Sequence, residues 1–270
     1  MRPFKINFKL KEPQNIVPWG NSLHWFALTD GLLWINVGDQ TIYEYTDEAV
    51  SFFGRNIKYN DYQLSRFLED FSQILPFVAE PVPHVLYDYA EIFAEKADKW
   101  KQQHINLCDE EFEKFYDDQY EPLYEWFTER SIDSGHLIEG PIISCIRCDD
   151  KLKIIWKSYH NEKYGLDSGN SLWTAPFGCF EIGYDAFVSE IDSFFERFVF
   201  AMDEQVSKAS CIDGHDIRLD KSKLFKEHEL RKNSLRWAVN ELRNQQISTD
   251  WNKISELYKK MMEELSSYNT

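Results

Sequence analysis

The sequence predicts an α+β fold: an N-terminal antiparallel meander and a second hairpin, packed with about six amphipathic helices, in one compact domain over residues 1–270. Three observations carry this. Phe4, Ile6, Phe8 and Leu10 alternate with polar residues, the period of a half-buried strand. Short turn-forming pairs, Asp30-Gly31, Gly38-Asp39 and Asp149-Asp150, divide runs rich in β-branched and aromatic residues. Phe187, Val188, Ile191, Phe194, Phe195, Phe198 and Met202 recur at helical spacing.

Taken in order, residues 4–10 form the first strand, and residues 23–29, 32–37 and 40–46 follow as a three-stranded meander with tight turns at Asp30-Gly31 and Gly38-Asp39. A helix over residues 62–75 starts after the capping pair Asn60-Asp61 and stops at Pro76. Beyond Pro81 and Pro83 a second helix buries Leu86, Tyr89, Ile92, Phe93, Ala97 and Trp100. A third covers residues 109–130 with Phe112, Phe115, Tyr116, Tyr120, Leu123 and Phe127 inward and a kink at Pro122. Strands then return at residues 138–148 and 152–159 around Asp149-Asp150, and again at 172–182, interrupted by Pro176 and Gly178. Helices over residues 185–206, 220–245 and 249–268 complete the chain. Residues 163–170 are polar and make a weak seam; nothing else marks a domain boundary.

Hydrophobic residues make up 43% of the chain and nine are Trp, enough apolar surface to offset chain entropy and to exclude disorder. No run of eighteen apolar residues exists, and the start alternates polar with apolar instead of resembling a signal peptide, so a cytoplasmic protein with no membrane contact is expected. The five cysteines are an odd, sparse set that fits free thiols. Cys145 and Cys148 have C-x-x-C spacing, with His136 and His160 as the near histidines, but no second ligand pair stands in register. They read as small buried residues of a strand, and no metal or cofactor is expected.

Walker A, G-x-G-x-x-G, G-x-S-x-G and H-E-x-x-H motifs are all missing, so no catalytic residue is assigned. His215-Asp216 resembles the dipeptide of metal-dependent phosphohydrolases, beside a Gly214 that suits a plain turn. Asp149-Asp150-Lys151 has the acid-x-Lys element of many nucleases, on a hairpin turn where exposed charge needs no other reason. His24, with Asp30 at the end of its strand, offers acid-base groups, and His24, Trp25, Asp30, Trp34 and Trp173 are the residues of a candidate aromatic pocket. The competing reading is a hydrogen-bonded histidine within an aromatic sheet face.

Charge is the more informative signal. The formal net charge is −16, and residues 109–129 hold nine acidic residues and one Lys. Glu113, Asp117, Glu121, Glu125 and Glu129 recur every four residues, a carboxylate stripe along a helix that either is merely solvated or attracts a basic macromolecule. A field of this sign repels phosphates, so nucleic acid is not an expected partner; residues 218–236 are basic, but interspersed with Asp220, Glu227 and Glu229.

Pro18-Trp19-Gly20, the run from Leu23 through His24-Trp25-Phe26-Ala27-Leu28-Thr29-Asp30 to Gly31, and Trp173-Thr174-Ala175-Pro176 together resemble an uncharacterised bacterial family, a domain of unknown function, over most of the chain. The resemblance implies a bacterial cytoplasmic source and carries over no catalytic residue. The sequence therefore points to an acidic binding protein, an immunity-type protein that neutralises a basic protein toxin by direct binding. The alternative is a small-molecule enzyme or ligand-binding protein with an aromatic pocket near His24.

Overall fold

A computed structural model describes residues 4–18, 22–54, 56–159, 171–212 and 219–267. It is α+β, with two antiparallel sheets and helices packed on them. In the first sheet β1 (Lys5–Leu10) runs antiparallel along Gly31–Asn36 of β2 (Asp30–Val37). On the far side of β2, β3 (Gln40–Ile42) takes one half and β4 (Asn60–Gln63) the other. The second sheet has β5 (Ser131–Asp133), β6 (Ile142–Cys148), β7 (Lys151–Lys157) and β8 (Phe177–Gly183) in chain order. The helices are α1 (Asp47–Phe52), α2 (Leu64–Val78), α3 (His84–Gln103), α4 (Asp109–Phe115), α5 (Glu121–Thr128), α6 (Tyr184–Ser210), α7 (Lys221–Arg243) and α8 (Trp251–Ser267).

The meander differs from the expected one. Residues 23–29 are a loop ending in a 3-10 turn at Ala27–Thr29, and the partner of β2 is β1. Asp30-Gly31 is the start of a strand, not a turn. A Cβ on Gly31 would lie 2.4 Å from the carbonyl oxygen of Lys9, so this glycine serves a close cross-strand approach. Gly38 does turn the chain: its φ of +60° links β2 to β3, with Val37 opposite Gln40. Asn60-Asp61 lies in β4, and α2 starts after Gln63 and runs two residues beyond Pro76, which sits in its last turn. In α3 the buried stripe is Leu86, Tyr87, Ala90, Phe93, Ala97 and Trp100, while Tyr89 and Ile92 face solvent.

The second sheet separates two apolar clusters. Ile143, Cys145, Leu152, Ile154 and Trp156 face the first sheet with α2, α6 and α7. Ile146, Cys148 and Ile155 face α3, α5 and α8. Both faces of β6 are covered, which is why Ile142-Ile143-Ser144-Cys145-Ile146 reads as a continuous strand without alternation. A buried ion pair bolts the second cluster: Arg130 donates to Glu80 at 2.8 Å, and Glu80 also accepts from the backbone N–H and hydroxyl of Thr249 and from the indole of Trp251.

Candidate functional site

The acidic stripe lies on one continuous ridge. Asp109, Glu110 and Glu111 occupy the first turn of α4, where carboxylates favour the exposed N–H groups. At Tyr116–Tyr120 the helix widens to a π turn, in which the N–H of Glu121 reaches back five residues to the carbonyl of Tyr116. Pro122 follows at once. Its ring would crowd the carbonyl four residues earlier in a regular helix, and the wider turn relieves that crowding. The expected kink is thus a local widening.

The π turn also reduces the winding of the stripe. Four residues of α-helix overshoot one turn by about 40°; a wider turn takes up the excess. Beside the ridge Tyr116, Tyr120 and Tyr124 stand in a ladder, with ring centroids 5.3 and 5.4 Å apart. The ammonium of Lys101 lies 5.0 and 4.9 Å from the first two rings, and the buried side holds Phe115, Tyr120, Leu123, Trp126 and Phe127.

Glu113, Asp117, Glu121 and Glu125 are all exposed. Among the described residues, their carboxylates form no ion pair and no hydrogen bond. Several acids elsewhere are matched by bases, among them Glu44 with Lys58, Glu91 with Lys153, Glu190 with Arg197 and Asp203 with Lys232. Lys260, near the ridge, is engaged with Gln119 and Glu264. Glu129 departs from the set. It is half-buried, and burial followed by the like charge of Glu125 raises its pKa above the usual carboxylate value.

The five candidate pocket residues disperse. His24 sits in the loop and its Nδ1 accepts the N–H of Ala27 at 3.3 Å, capping the 3-10 turn. His24 and Trp25 line a surface depression of about 570 Å³ with Phe26, Lys223, Leu224 and Glu227. Asp30, within β2, pairs with Lys11 at 3.0 Å. Trp34 stacks on Tyr59 at 4.3 Å on the outer face of the first sheet. Trp173 is buried, donates to the carbonyl of Glu139 at 2.7 Å and stacks on Tyr45. Only His24 and Trp25 share that depression.

Cys145 and Cys148 point to opposite faces of β6, one into each apolar cluster, because side chains three apart on a strand alternate. They cannot chelate one ion together. His136 packs on Tyr62, and Asp149-Asp150 forms the β6–β7 turn. Trp19, Gly20, His160, residues 163–170, Gly214 and His215-Asp216 lie outside the described residues.

One connection has no pattern in the sequence. The indole of Trp25 donates to Nδ1 of the buried His228 at 3.2 Å, and the other ring nitrogen meets Asp203 at 2.8 Å. An indole N–H only donates, so Nδ1 carries no proton and Nε2 donates to Asp203. Asp203 also accepts from Lys232. Burial raises the Asp203 pKa, and the hydrogen bonds from His228 and Lys232 outweigh it, leaving the carboxyl below its usual value. With Nδ1 occupied by Trp25, this histidine is braced, not free for proton transfer.

Among the described residues no helix is long and apolar enough to cross a membrane. A family of unknown function, DUF5984, matches residues 5–257. No curated protein and no solved structure matches the chain.

Proposed function

The chain belongs to that family of unknown function, and we propose that it works by binding a basic protein, as a bacterial cytoplasmic immunity-type protein that neutralises a basic toxin by direct contact. One observation carries the reading. Four exposed carboxylates on a single ridge, Glu113, Asp117, Glu121 and Glu125, have no cation of their own among the described residues, in a chain that pairs many of its other acids. Uncompensated charge on a rigid, aromatic-backed helix gives a field that reaches a partner before contact and disfavours acidic competitors. The stacked tyrosines and buried Trp126 beneath it anchor the backbone that carries the carboxylates.

A second reading, a small-molecule site, is favoured by the depression at His24 and Trp25. It supplies one aromatic wall and the charged groups of Lys223 and Glu227, without the enclosure that binding of a small ligand prefers.

Affinity capture from the native host, with mass spectrometry, identifies the partner. Association rates are then measured for the parent and for a variant with Glu113, Asp117, Glu121 and Glu125 each changed to Gln. The proposal expects the parent rate to fall with salt and the variant to associate at least tenfold more slowly at low salt, with little salt dependence. Equal rates at low salt would remove the ridge from recognition.

A further inference from the structure

We propose that His84, Cys148 and Asp149 form a binding site for a zinc-class divalent cation at the junction of α3 with the β6–β7 turn. One ligand atom from each of the three lies within 4.8 Å of the others. The thiol sulfur of Cys148 is 3.4 Å from Nδ1 of His84, and Asp149 Oδ2 is 3.3 Å from Nε2 of the same ring. Tetrahedral zinc with sulfur, nitrogen and oxygen ligands needs separations of about 3.3–3.6 Å. The sulfur–nitrogen pair already has this spacing. Gathering all three donors on one ion needs only a rotation of His84 and Asp149, whose side chains are 77% and 71% exposed.

The backbone brings the ligands together without help from a metal. The N–H of Val82 donates to the carbonyl of Arg147 at 2.8 Å, and the guanidinium of Arg147 holds the carbonyl of Ala79. These bonds pin the segment before α3 beside the end of β6, so His84, two residues beyond Val82, falls next to Cys148, one residue beyond Arg147. A site with its backbone fixed in advance gives up little order on binding.

The donor set selects the ion. A thiolate, an imidazole and a carboxylate suit zinc or cobalt(II) and disfavour magnesium and calcium, which prefer oxygen alone. Charge balances as well: a thiolate and a carboxylate neutralise a dication, so the positive end of α3 beside His84 is no obstacle. A bound dication takes Cys148 as the thiolate and displaces the thiol proton. Three protein ligands leave a fourth position open to solvent or a partner's donor. The C-x-x-C spacing conceals the arrangement, because it pairs Cys148 with Cys145 on the wrong face of the strand.

The test uses full-length protein stripped with chelator and dialysed. Zinc titration against a chromogenic chelator should give about one equivalent bound. Cys148→Ser and His84→Ala should each weaken binding at least tenfold, and Cys145→Ser should leave it unchanged. Cobalt(II) should produce a sulfur-to-metal charge-transfer band in the parent that Cys148→Ser lacks. His84 is exposed, so His84→Ala keeps the fold and isolates the loss of a ligand. Absence of zinc uptake, binding indifferent to Cys148→Ser, or a cobalt spectrum without a thiolate band would each overturn the proposal.

Discussion

The indole N–H of Trp25 donates to Nδ1 of His228 across 203 residues of chain, tying the loop before β2 to the middle of α7. Phe198 meets the same indole edge-on, and the guanidinium of Arg231 lies 5.1 Å from its ring. The bond fixes which ring nitrogen of His228 carries the proton. It also decides what a substitution here does.

Trp25→Phe keeps an aromatic ring but strands a buried acceptor, so stability should fall by about 1–3 kcal/mol beyond the loss of ring volume. His228→Phe should also destabilise. The double variant should be less unstable than the sum of the two, because no acceptor is then left without its donor. Urea unfolding of the four proteins measures the coupling. Strict additivity would mean that the bond contributes nothing.

Glu80 and Arg130 invite the same treatment with a larger effect. Glu80→Gln takes from the buried Arg130 guanidinium its hydrogen-bonded counter-charge, leaving only Glu129 at 4.0 Å, and should cost about 3 kcal/mol. Arg130→Met, which fits the apolar space beside Phe77 and Trp251, should cost less in the background of Glu80→Gln than alone. Chemical denaturation with a shared slope checks both.

The helices were legible because their apolar stripes are long: the run from Phe187 to Met202 names its own buried face. The first meander departs from expectation at residues 23–29, which form a loop, and at Gly31. Gly31 carries the signature of a turn, and only the position of Lys9 across the sheet shows that it is a strand glycine. Tyr89 and Ile92 fit a helical stripe as well as Tyr87 and Ala90 do, and α8 settles which face is covered. The acidic ridge was visible from its four-residue period, whereas its lack of internal partners depends on where every lysine falls. His84, Cys148 and Asp149 meet through a backbone bond between Val82 and Arg147 that local sequence does not encode.

Glu129 gives a pH test. Burial and Glu125 raise its folded-state pKa above the unfolded value, so the ionised form is disfavoured in the native protein. Above the folded pKa this lowers stability in full; below the unfolded pKa, where the group is protonated in both states, the penalty is gone. Glu129→Gln should therefore be more stable than the parent at neutral pH, and the gain should vanish as pH falls through about 4, the ordinary carboxylate range. Melting curves at several pH values follow it. A gain that grows toward acid has the wrong sign.

The ridge itself is tested on stability, independently of any partner. Glu113, Asp117, Glu121 and Glu125 are exposed and unpaired among the described residues, and successive members stand four residues apart. Each like-charged pair at that spacing destabilises a helix by roughly 0.2–0.5 kcal/mol, and Gln in place of each acid removes the repulsion with almost no change in helix propensity. The quadruple variant should thus be more stable than the parent by about 1 kcal/mol at low salt. Exposed charges are screened beyond about 8–10 Å near physiological ionic strength, so the difference should shrink as salt is added. Melting both proteins across a salt series measures it. A variant less stable than the parent at low salt would mean that these carboxylates hold the fold together, and a charged surface kept for its own stability leaves nothing that binding has to explain.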